Sequence, residues 1–535
     1  MAISNAQSYV WPPDYNWRHY GYEGAHVNVL PETEAANKDL VLPWLMTVWM
    51  LSSSLAPGST KPTPSKPPKV KPTLTPPYTI EYPLEDTRPP IGEYFWAKHA
   101  WNRMEIEFPS EEDREEAINS GNYIPRNILP LGLEIWEDRI FVTLPMWRNG
   151  IPVSLTTIDK ADTSHAPVLR PYPDWSWYDV DSTSHCEKII SAFRVATDPC
   201  GRLWVLDSGS IDIATNQGQP CPPKLLIFDL ATDQLLHKYT FPASQVFDGS
   251  LLSHVVVDVR DDCNSATAFV ADVFRYGLVV YSLEEDRSWR IGHAYFYPDP
   301  LLSDYRMDNI RWQWVDGIFS LTLSPVDPES EDRYLYFHAL SSNREFRVPV
   351  SKINTEPAAR NSVDDFEAVG DPRGGAGHHA SGSAMDNNGV LFYNMPSLKA
   401  IGCWNSRSYK HSQYSQGLLA VSNDSLSFAN DMKLDFTDVD QDGNPRKLYI
   451  MANRLHQYLY GRLDPVGPNY FLTVVDVSRA VRELSVSPIT ISSVDRWFRV
   501  IVPGSGGGDS VENNLNRISA LEKKTPAVEA VLRVI

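Results

Sequence analysis

One short pattern recurs six times along the chain and limits what the chain can fold into. Each copy is a run of apolar, strand-forming residues, and most copies follow a tight-turn signal such as Pro-Cys-Gly or Asp-Gly. Successive copies begin about 55 to 67 residues apart, which is the mark of a repeat architecture. The copies read RIFVTLP from Arg139, RLWVLDS from Arg202, TAFVADV from Thr267, YLYFHAL from Tyr334, GVLFYNM from Gly389 and KLYIMAN from Lys447.

Further strand-like segments flank each copy, so one repeat consists of three or four antiparallel strands with almost no helix. A unit of that size cannot bury both of its faces alone, and six units stacked radially form a propeller. Two β-sandwiches would fit a six-fold recurrence poorly. The sequence therefore predicts an all-β fold, a six-bladed β-propeller, over residues 94–480. We expect the segment MEIEFPS at 104–110 to supply the outer strand that closes the last blade.

The residues before the propeller do not continue the repeat. Residues 57–93 form a proline-rich linker, because eleven of the 34 residues from 57 to 90 are prolines and such a segment cannot bury a core. Residues 1–56 form an N-terminal extension with a signal-like apolar run at 40–56 that ends in small residues. That run is short and serine-rich for a membrane span, so we expect no stable span and favour secretion over a weak anchor.

Local signals also mark a helix and the end of the repeats. Ser110 followed by Asp113 resembles a capping box and Gly121 supplies a stop, so the sequence predicts one short helix over 111–120. Beyond residue 480 the pattern decays into a glycine-rich and polar tail, 481–535. We expect this tail to be flexible, with at most a short helix near its end.

Four of the five cysteines lie close together in the sequence, which suits two bridges in an exported protein. Two of the four occupy equivalent turns of adjacent repeats, and the other two flank the outer loop of one blade. We therefore predict the disulfides Cys200–Cys263 and Cys186–Cys221, with Cys403 left free. Asn423, in the only glycosylation sequon of the chain, has a loop-like setting and is a fair acceptor after export.

Composition and motifs argue against several classes of partner. The chain has 48 Lys and Arg residues against 67 Asp and Glu, a formal net charge of −19, so we expect no nucleic-acid partner. The stretch DVDQDG at 438–443 begins like a calcium-binding loop, but its twelfth position is Tyr449 and a strand follows, so we interpret it as a hairpin turn. No zinc spacing, phosphate loop or nucleophile elbow occurs in the sequence, and we expect neither a metal nor a cofactor.

The sixth residue of each repeat copy ends a strand near one mouth of the axial channel. Polar residues that differ between copies at this position are what a ligand site built on a symmetric frame would contain. In the six copies this position holds Leu144, Asp207, Asp272, Ala339, Asn394 and Ala452. We expect the hairpin turns at 199–201 and 262–265 to lie together on the opposite face.

Several long motifs follow one another in a fixed order along the chain. They include YIPRNILPLGLEIWEDRIFVTLPMWRNGIPVSL, PYPDWSWY, CGRLWVLDSG, CPPKLLIFDL, FVADVFRYGLVVYSL and AIGCWNSR. Together they resemble the yellow/major royal jelly protein family of insects, over about Ala97 to Val477. The resemblance implies a secreted six-bladed propeller, in agreement with the repeats. It also implies one of several roles: melanin pigmentation and cuticle chemistry, dopachrome conversion, binding of biogenic amines, or food and storage.

The resemblance further implies a site at the channel mouth. In amine-binding members a hydroxyl residue and an amide hold the ammonium group of the ligand, and Asn394 matches the amide. His379 stands at the hydroxyl position, where a neutral imidazole can accept a hydrogen bond from an ammonium or act as a general base. Asp207, Asp272 and Asp316 could add an acidic rim for a cationic amine. The alternatives are loop caps for the three aspartates and a solvent-facing loop histidine for His379.

We therefore expect a secreted, extracellular protein that acts in melanin pigmentation or cuticle chemistry through a small aromatic ligand, a catechol or biogenic amine, at the channel mouth. One alternative is a dopachrome isomerase with His379 as the base and Asn394 orienting the substrate. Another is a structural or storage protein without a ligand. That last class usually has a biased composition in the body of the chain, whereas the bias here is confined to the linker.

Overall fold

The computed structural model describes residues 94–178, 185–214, 218–260, 262–407 and 410–483. The predicted N-terminal extension with its apolar run, the proline-rich linker and the tail beyond residue 483 lie outside these residues. Within the described ranges, no helix has both the length and the apolar character that crossing a membrane requires.

Six four-stranded antiparallel sheets surround one axis, which confirms the six-bladed β-propeller. The first strands of neighbouring sheets contact one another around a closed ring, so they line the axis. We number the sheets as blades 1 to 6. The innermost strands are Leu133–Trp136, Ala192–Asp198, Leu252–Asp258, Ile318–Leu323, Ser383–Met385 and Phe428–Leu434. The second strands are Arg139–Thr143, Arg202–Asp207, Thr267–Asp272, Tyr334–Ala339, Val390–Met395 and Lys447–Asn453.

The outer half of each blade completes the sheet. The third strands are Leu155–Asp159, Lys224–Asp229, Gly277–Ser282, Phe346–Pro349, Ala400–Asn405 and Tyr470–Asp476. The outermost strands are Arg170–Pro171, Leu235–Thr240, Arg287–Gly292, Glu367–Ala368, Gln416–Val421 and Phe95–Trp101. All six repeat copies form second strands, which have a strand on either side and a neighbouring blade on either face. That position explains why their sequences are almost continuously apolar.

The ring closes through the N-terminal strand of the described chain. Phe95–Trp101 pairs antiparallel with Tyr470–Asp476 and becomes the outermost strand of blade 6. The prediction that 104–110 supplies this strand is therefore wrong. That segment instead makes a single bridge between Ile106 and Leu169 beside blade 1, and the apolar side chains of its alternating pattern, Ile106 among them, pack into the core there.

The predicted helix over 111–120 is confirmed as Glu111–Ser120. The Ser110 hydroxyl accepts the backbone N–H of Asp113 at 3.1 Å, and Gly121 ends the helix with a φ of 80°. The other elements outside the blades are the helices Glu356–Ala359, Leu455–Leu459 and Val477–Glu483 and a hairpin formed by Asp304–Met307 and Ile310–Gln313.

Both predicted disulfides are confirmed. Cys200–Cys263, with Cα atoms 5.9 Å apart, joins the hairpin turns of blades 2 and 3, so these turns lie on one face as predicted. Cys186–Cys221, with Cα atoms 5.4 Å apart, joins loops at the opposite end of blade 2. Cys403 is free and buried, and its burial raises the pKa of the thiol to about 12.

A belt of hydrogen bonds close to the axis joins each blade to the next. Each bridge crosses from one blade to its neighbour through at least one side chain. The bridges are Thr143 Oγ1 to the Phe193 carbonyl (2.7 Å), Arg194 Nη1 to the Ser253 carbonyl (3.3 Å), the Leu321 N–H to His254 Nδ1 (3.0 Å), Ser320 Oγ with Ser383 Oγ (2.7 Å), Ser381 Oγ to the Ala429 carbonyl (2.5 Å) and the Leu133 N–H to Asp431 Oδ2 (3.0 Å). The belt provides hydrogen-bond partners for buried polar groups near the axis, which the apolar surfaces between the blades could not provide.

Arg194 is the central member of this belt. Its fully buried guanidinium pairs with the Asp431 carboxylate, with Nε 3.3 Å from Oδ1, and donates to the carbonyls of Ser253 and Asn430. It also lies 4.7 Å from the ring centroid of Phe319. From blade 2 this one side chain reaches blades 3, 4 and 6, so it crosses the axis.

We expect Asp431→Ala to lower the free energy of unfolding by about 3–5 kcal/mol, because it leaves the buried Arg194 charge without its partner. Urea denaturation measures this difference. The control is Arg360→Ala, which removes a surface pair with Glu356 and should change stability by no more than about 1 kcal/mol. Equal losses in the two variants would contradict a stabilising role for the axial pair.

Candidate functional site

The strand register places one residue of each second strand at the same level of the channel mouth. These residues are Thr143, Asp207, Asp272, Ala339, Asn394 and Ala452. The predicted position is right in five blades and wrong in blade 1, where Thr143 takes the place assigned to Leu144. The first hairpin is one residue pair shorter than that of blade 2, which shifts the end of its second strand.

In blade 2 this position holds a carboxylate that fixes the surrounding loop. Asp207 is fully buried and accepts the backbone N–H groups of Ile190, Ser191 and Gly209 at 2.7 to 2.9 Å. Its carboxylate also pairs with the Lys224 ammonium at 2.8 Å. These contacts use its oxygens within the protein, so contact of Asp207 with a ligand stays a prediction.

Asp272 does the same in blade 3. It accepts the N–H groups of Leu251 and Arg275 at 3.1 Å and the Ser250 hydroxyl at 2.5 Å. The Arg290 guanidinium completes the set at 2.9 Å. Blades 2 and 3 therefore present carboxylates whose charge and hydrogen bonds are already matched.

Asn394, at the same position in blade 5, is different. Its backbone pairs with Ser381 and Gly382, but its fully buried side-chain amide has no hydrogen-bond partner at either Nδ2 or Oδ1 among the described residues. A Cβ atom placed on Gly382 would come within 3.1 Å of Nδ2 and 3.0 Å of the Asp431 Cα. The glycine thus keeps the space beside the amide free of a protein side chain. A buried amide with both polar atoms unmatched is costly unless a ligand or solvent pairs with it.

Unmatched polar atoms continue on both neighbouring blades. A second set of equivalent positions lies on the segments that lead into the innermost strands, two residues before the residue that pairs with the end of the second strand. In blades 1 to 6 these positions hold Leu129, Ile190, Ser250, Asp316, His379 and Ser427. Of these, Asp316 Oδ1 in blade 4 and Ser427 Oγ in blade 6 are buried without a partner in the described part of the chain. So is Oδ1 of Asn430, whose Nδ2 donates to the Leu131 carbonyl. We call Asp316, Asn394, Ser427 and Asn430 the polar arc.

Asp316 brings negative charge to the polar arc at an energetic cost. Its side chain is buried, no ion pair to it occurs among the described residues, and burial raises the pKa of its carboxyl well above the ordinary range. Burial and the negative charge of the nearby Asp316 carboxylate both raise the pKa of the Tyr305 phenol. A cationic ligand would stabilise the ionised carboxylate.

His379 is buried and does not face solvent as a loop histidine. Its Nε2 contacts the Leu302 carbonyl at 2.6 Å and its Nδ1 contacts the Ser397 hydroxyl at 3.0 Å. The carbonyl can only accept, so Nε2 carries the proton and Nδ1 accepts from Ser397. Burial lowers the pKa of the ring to about 4, so it is neutral at physiological pH. As both nitrogens are engaged, the predicted role as base requires one of these bonds to open.

Aromatic rings cover the polar arc. The rings of Tyr305, Trp312 and Trp314 pack in one apolar cluster with Phe319 and Phe428 of the innermost strands. Tyr305 lies 4.1 Å from His379 in a stacked arrangement. Sequence reasoning missed Ser427, Asn430 and these rings, because innermost strands and inserted loops carry no repeated signature.

The predicted glycan acceptor is not one of the residues of the polar arc. Asn423 is exposed in a turn. Across the described ranges, no three His, Cys, Asp or Glu side chains converge to form a metal-binding group.

Replacing Asp316 by Asn should stabilise the protein increasingly as the pH rises. A carboxyl whose folded pKa is raised contributes stability below its unfolded pKa and loses it as the pH rises through its folded pKa. The difference in unfolding free energy between Asp316→Asn and wild type, measured by urea denaturation over a pH series, should therefore grow with pH. Ser427→Ala, an uncharged neighbour, should show no such trend, and a constant difference for Asp316→Asn would contradict its burial without a counter-charge.

Comparisons with known proteins identify the family. The major royal jelly protein model matches residues 190–483. The dopaminechrome tautomerase of Drosophila melanogaster is 34% identical over 393 residues, which make up 73% of this chain and 83% of that protein. Protein yellow of Drosophila subobscura is 37% identical over 377 residues, 70% of this chain and 64% of that protein, so the match spans just under two thirds of this relative. The virginiamycin B lyase structure from Staphylococcus aureus covers 65% of this chain and is itself covered to 95%, at a TM-score of 0.34 and 8% identity, too low a likeness to carry any argument. The chain belongs to the major royal jelly protein family.

Proposed function

We propose that this protein binds a small aromatic amine or catechol in the polar arc and acts through it in melanin pigmentation or cuticle chemistry. The observation that carries the proposal is the Asn394 amide, which is fully buried with neither polar atom bonded to protein in the described chain. An ammonium or catechol hydroxyl can donate to its Oδ1, and a catechol oxygen can accept from its Nδ2.

The remaining groups suit the same ligand class. The Asp316 carboxylate supplies the charge that an ammonium requires in a buried place, and the hydroxyl of Ser427 and the carbonyl oxygen of Asn430 supply further acceptors. A storage role without a ligand would leave these unmatched groups without a purpose.

A second candidate is an isomerase for dopaminechrome-like substrates, because one relative is a dopaminechrome tautomerase. Such a reaction breaks two C–H bonds of the saturated ring and forms two O–H bonds at the quinone oxygens, so a protein group that takes a proton from carbon and returns one to oxygen would speed it. The sequence assigns the proton transfer to His379. Asp316 is the better placed group, because its raised pKa makes it a stronger base than an exposed carboxylate and its Oδ1 is not bonded to protein.

We also propose that the protein is exported. The two disulfides persist in oxidising compartments, and the exposed Asn423 is then available as a glycan acceptor. Treatment of secreted protein from insect cells with a peptide N-glycosidase should reduce its mass, and Asn423→Gln should abolish the reduction.

Replacing Asn394 by Ala should weaken dopamine or serotonin binding by roughly five- to a hundred-fold, which corresponds to about 1–3 kcal/mol for one oriented hydrogen bond. The matched control is Asn469→Ala. Asn469 is equally buried, but its amide bonds to Asp464 and Asn102, so this variant should lose stability and keep its affinity. Titration calorimetry measures the affinity of both variants for the amine. An unchanged affinity in Asn394→Ala would contradict the proposal that Asn394 contacts the ligand.

Dopaminechrome conversion, with the spontaneous rate subtracted, separates the two candidate bases. If Asp316 takes the proton, Asp316→Asn should lower kcat by at least about a hundred-fold, and His379→Ala by much less. Wild-type kcat/KM should rise with pH, because the raised pKa keeps Asp316 protonated at lower pH. If His379 is the base, its pKa of about 4 predicts a flat profile around neutral pH and the opposite order of the variants.

A further inference from the structure

The hairpin of residues 304–313 crosses the end of the channel where the polar arc lies. It is inserted between the last strand of blade 3 and the first strand of blade 4, yet it contacts the loops of blades 5 and 6. Tyr305 also bonds to Ser341 of blade 4, with 3.0 Å between the two hydroxyl oxygens, and the hairpin rings belong to the apolar cluster that includes Phe319 and Phe428 of the innermost strands. The hairpin therefore lies over the three blades that carry the polar arc.

Ring stacking holds the two strands of the hairpin against these blades. Tyr305 and Trp312 face each other across the hairpin, with centroids 5.2 Å apart and planes 15° from parallel. His379 of blade 5 stacks on the outer side of Tyr305 at 4.1 Å, and His456 of blade 6 lies parallel to Trp312 at 5.9 Å. The four rings form one stack, with an imidazole from the propeller at each end.

The tip of the hairpin is fastened by polar contacts. Asp308 accepts hydrogen bonds from the Lys399 ammonium at 2.5 Å, from His456 Nε2 at 2.7 Å and from the Gln457 amide at 3.1 Å. Burial alone would raise the pKa of Asp308, but the hydrogen bonds from Lys399 and His456 outweigh it and lower the pKa to about 2. The Asp308 side chain is therefore charged at every physiological pH.

We propose that this hairpin is a lid over the polar arc and that Asp308 is its latch. The part concerning ligand passage rests on the proposed function, whereas the opening of the lid does not. The contacts that would break on opening are the ring stacking on His379 and His456 and the polar contacts of Asp308 at the tip, while the strands of the blades beneath are joined by the axial belt. Opening would expose His379, because two groups that cover it would move away. The Tyr305 ring belongs to the lid, and the Leu302 carbonyl belongs to the segment just before it.

The first test needs no ligand. Asp308→Gly removes the latch and suits the left-handed backbone at this position, where φ is 47°. The matched control is Asn309→Gly in the same turn, where φ is 61° and the side chain is exposed. Diethyl pyrocarbonate, which modifies accessible neutral imidazoles, should label His379 roughly ten-fold faster in Asp308→Gly than in wild type or the control. Peptide mass spectrometry reads each histidine separately.

His338 is the internal reference for folding. It is buried between blades 4 and 5, bonded to Glu345, and has no contact with the lid among those described. Faster labelling of His379 with His338 still protected supports the lid. Equal labelling of His379 in all three proteins would overturn it, and so would labelling of both histidines, which reports general unfolding.

The second test measures the rates of dopamine binding by stopped flow. If the lid controls passage, Asp308→Gly should raise the association and dissociation rate constants together, by roughly ten-fold, and leave Kd within about three-fold. Unchanged rates beside faster His379 labelling would overturn the gating role. Absence of dopamine binding in wild type, with the labelling result intact, would instead refute the ligand proposal and leave the lid standing.

Discussion

The propeller depends on a single buried ion pair that crosses its axis. Arg194 reaches from blade 2 to Asp431 in blade 6 and touches blades 3 and 4 on the way, and Asp431 accepts the first amide of the innermost strand of blade 1. A charge so deeply buried is stable only when fully paired, so the positions of the innermost strands are tied to one another. The hydrogen bonds of the belt extend this constraint around the ring. The residues at the channel mouth are therefore held by innermost strands whose relative positions are fixed.

The mouth itself breaks the symmetry of the blades. In blades 2 and 3, Asp207 and Asp272 sit at equivalent positions with every charge and hydrogen bond matched inside the protein. In blades 4 to 6, Asp316, Asn394 and Ser427 retain polar atoms with no partner in the described chain. At these equivalent positions, blades 2 and 3 thus use their carboxylates to fix loops, whereas blades 4 to 6 keep unmatched groups of the kind that a site requires.

The sequence predicts the frame of this protein better than its site. The second strands are buried on both faces, so their apolar runs and turns recur visibly. The disulfide Cys200–Cys263 follows from the equivalence of its two turns, and Cys186–Cys221 from the position of both residues beside one outer loop. Ring closure could not be predicted because Phe95–Trp101 pairs with a strand about 370 to 380 residues later, and it is 104–110 that has the strand-like alternation of apolar residues, which FWAKHAW lacks. Arg194 and Asp431 resemble ordinary surface charges until the fold brings them together. Asn394 was found through family resemblance, whereas Ser427, Asn430 and the hairpin rings have no local signature.

The central claim is that the buried amide of Asn394 is a ligand contact. A crystal structure determined in the presence of dopamine tests it most directly. The expected result is one dopamine molecule per chain under the 304–313 hairpin, with its ammonium or a catechol oxygen within hydrogen-bond distance of the Asn394 amide. Dopamine bound only elsewhere on the surface, with the Asn394 amide paired to protein groups, would contradict the claim.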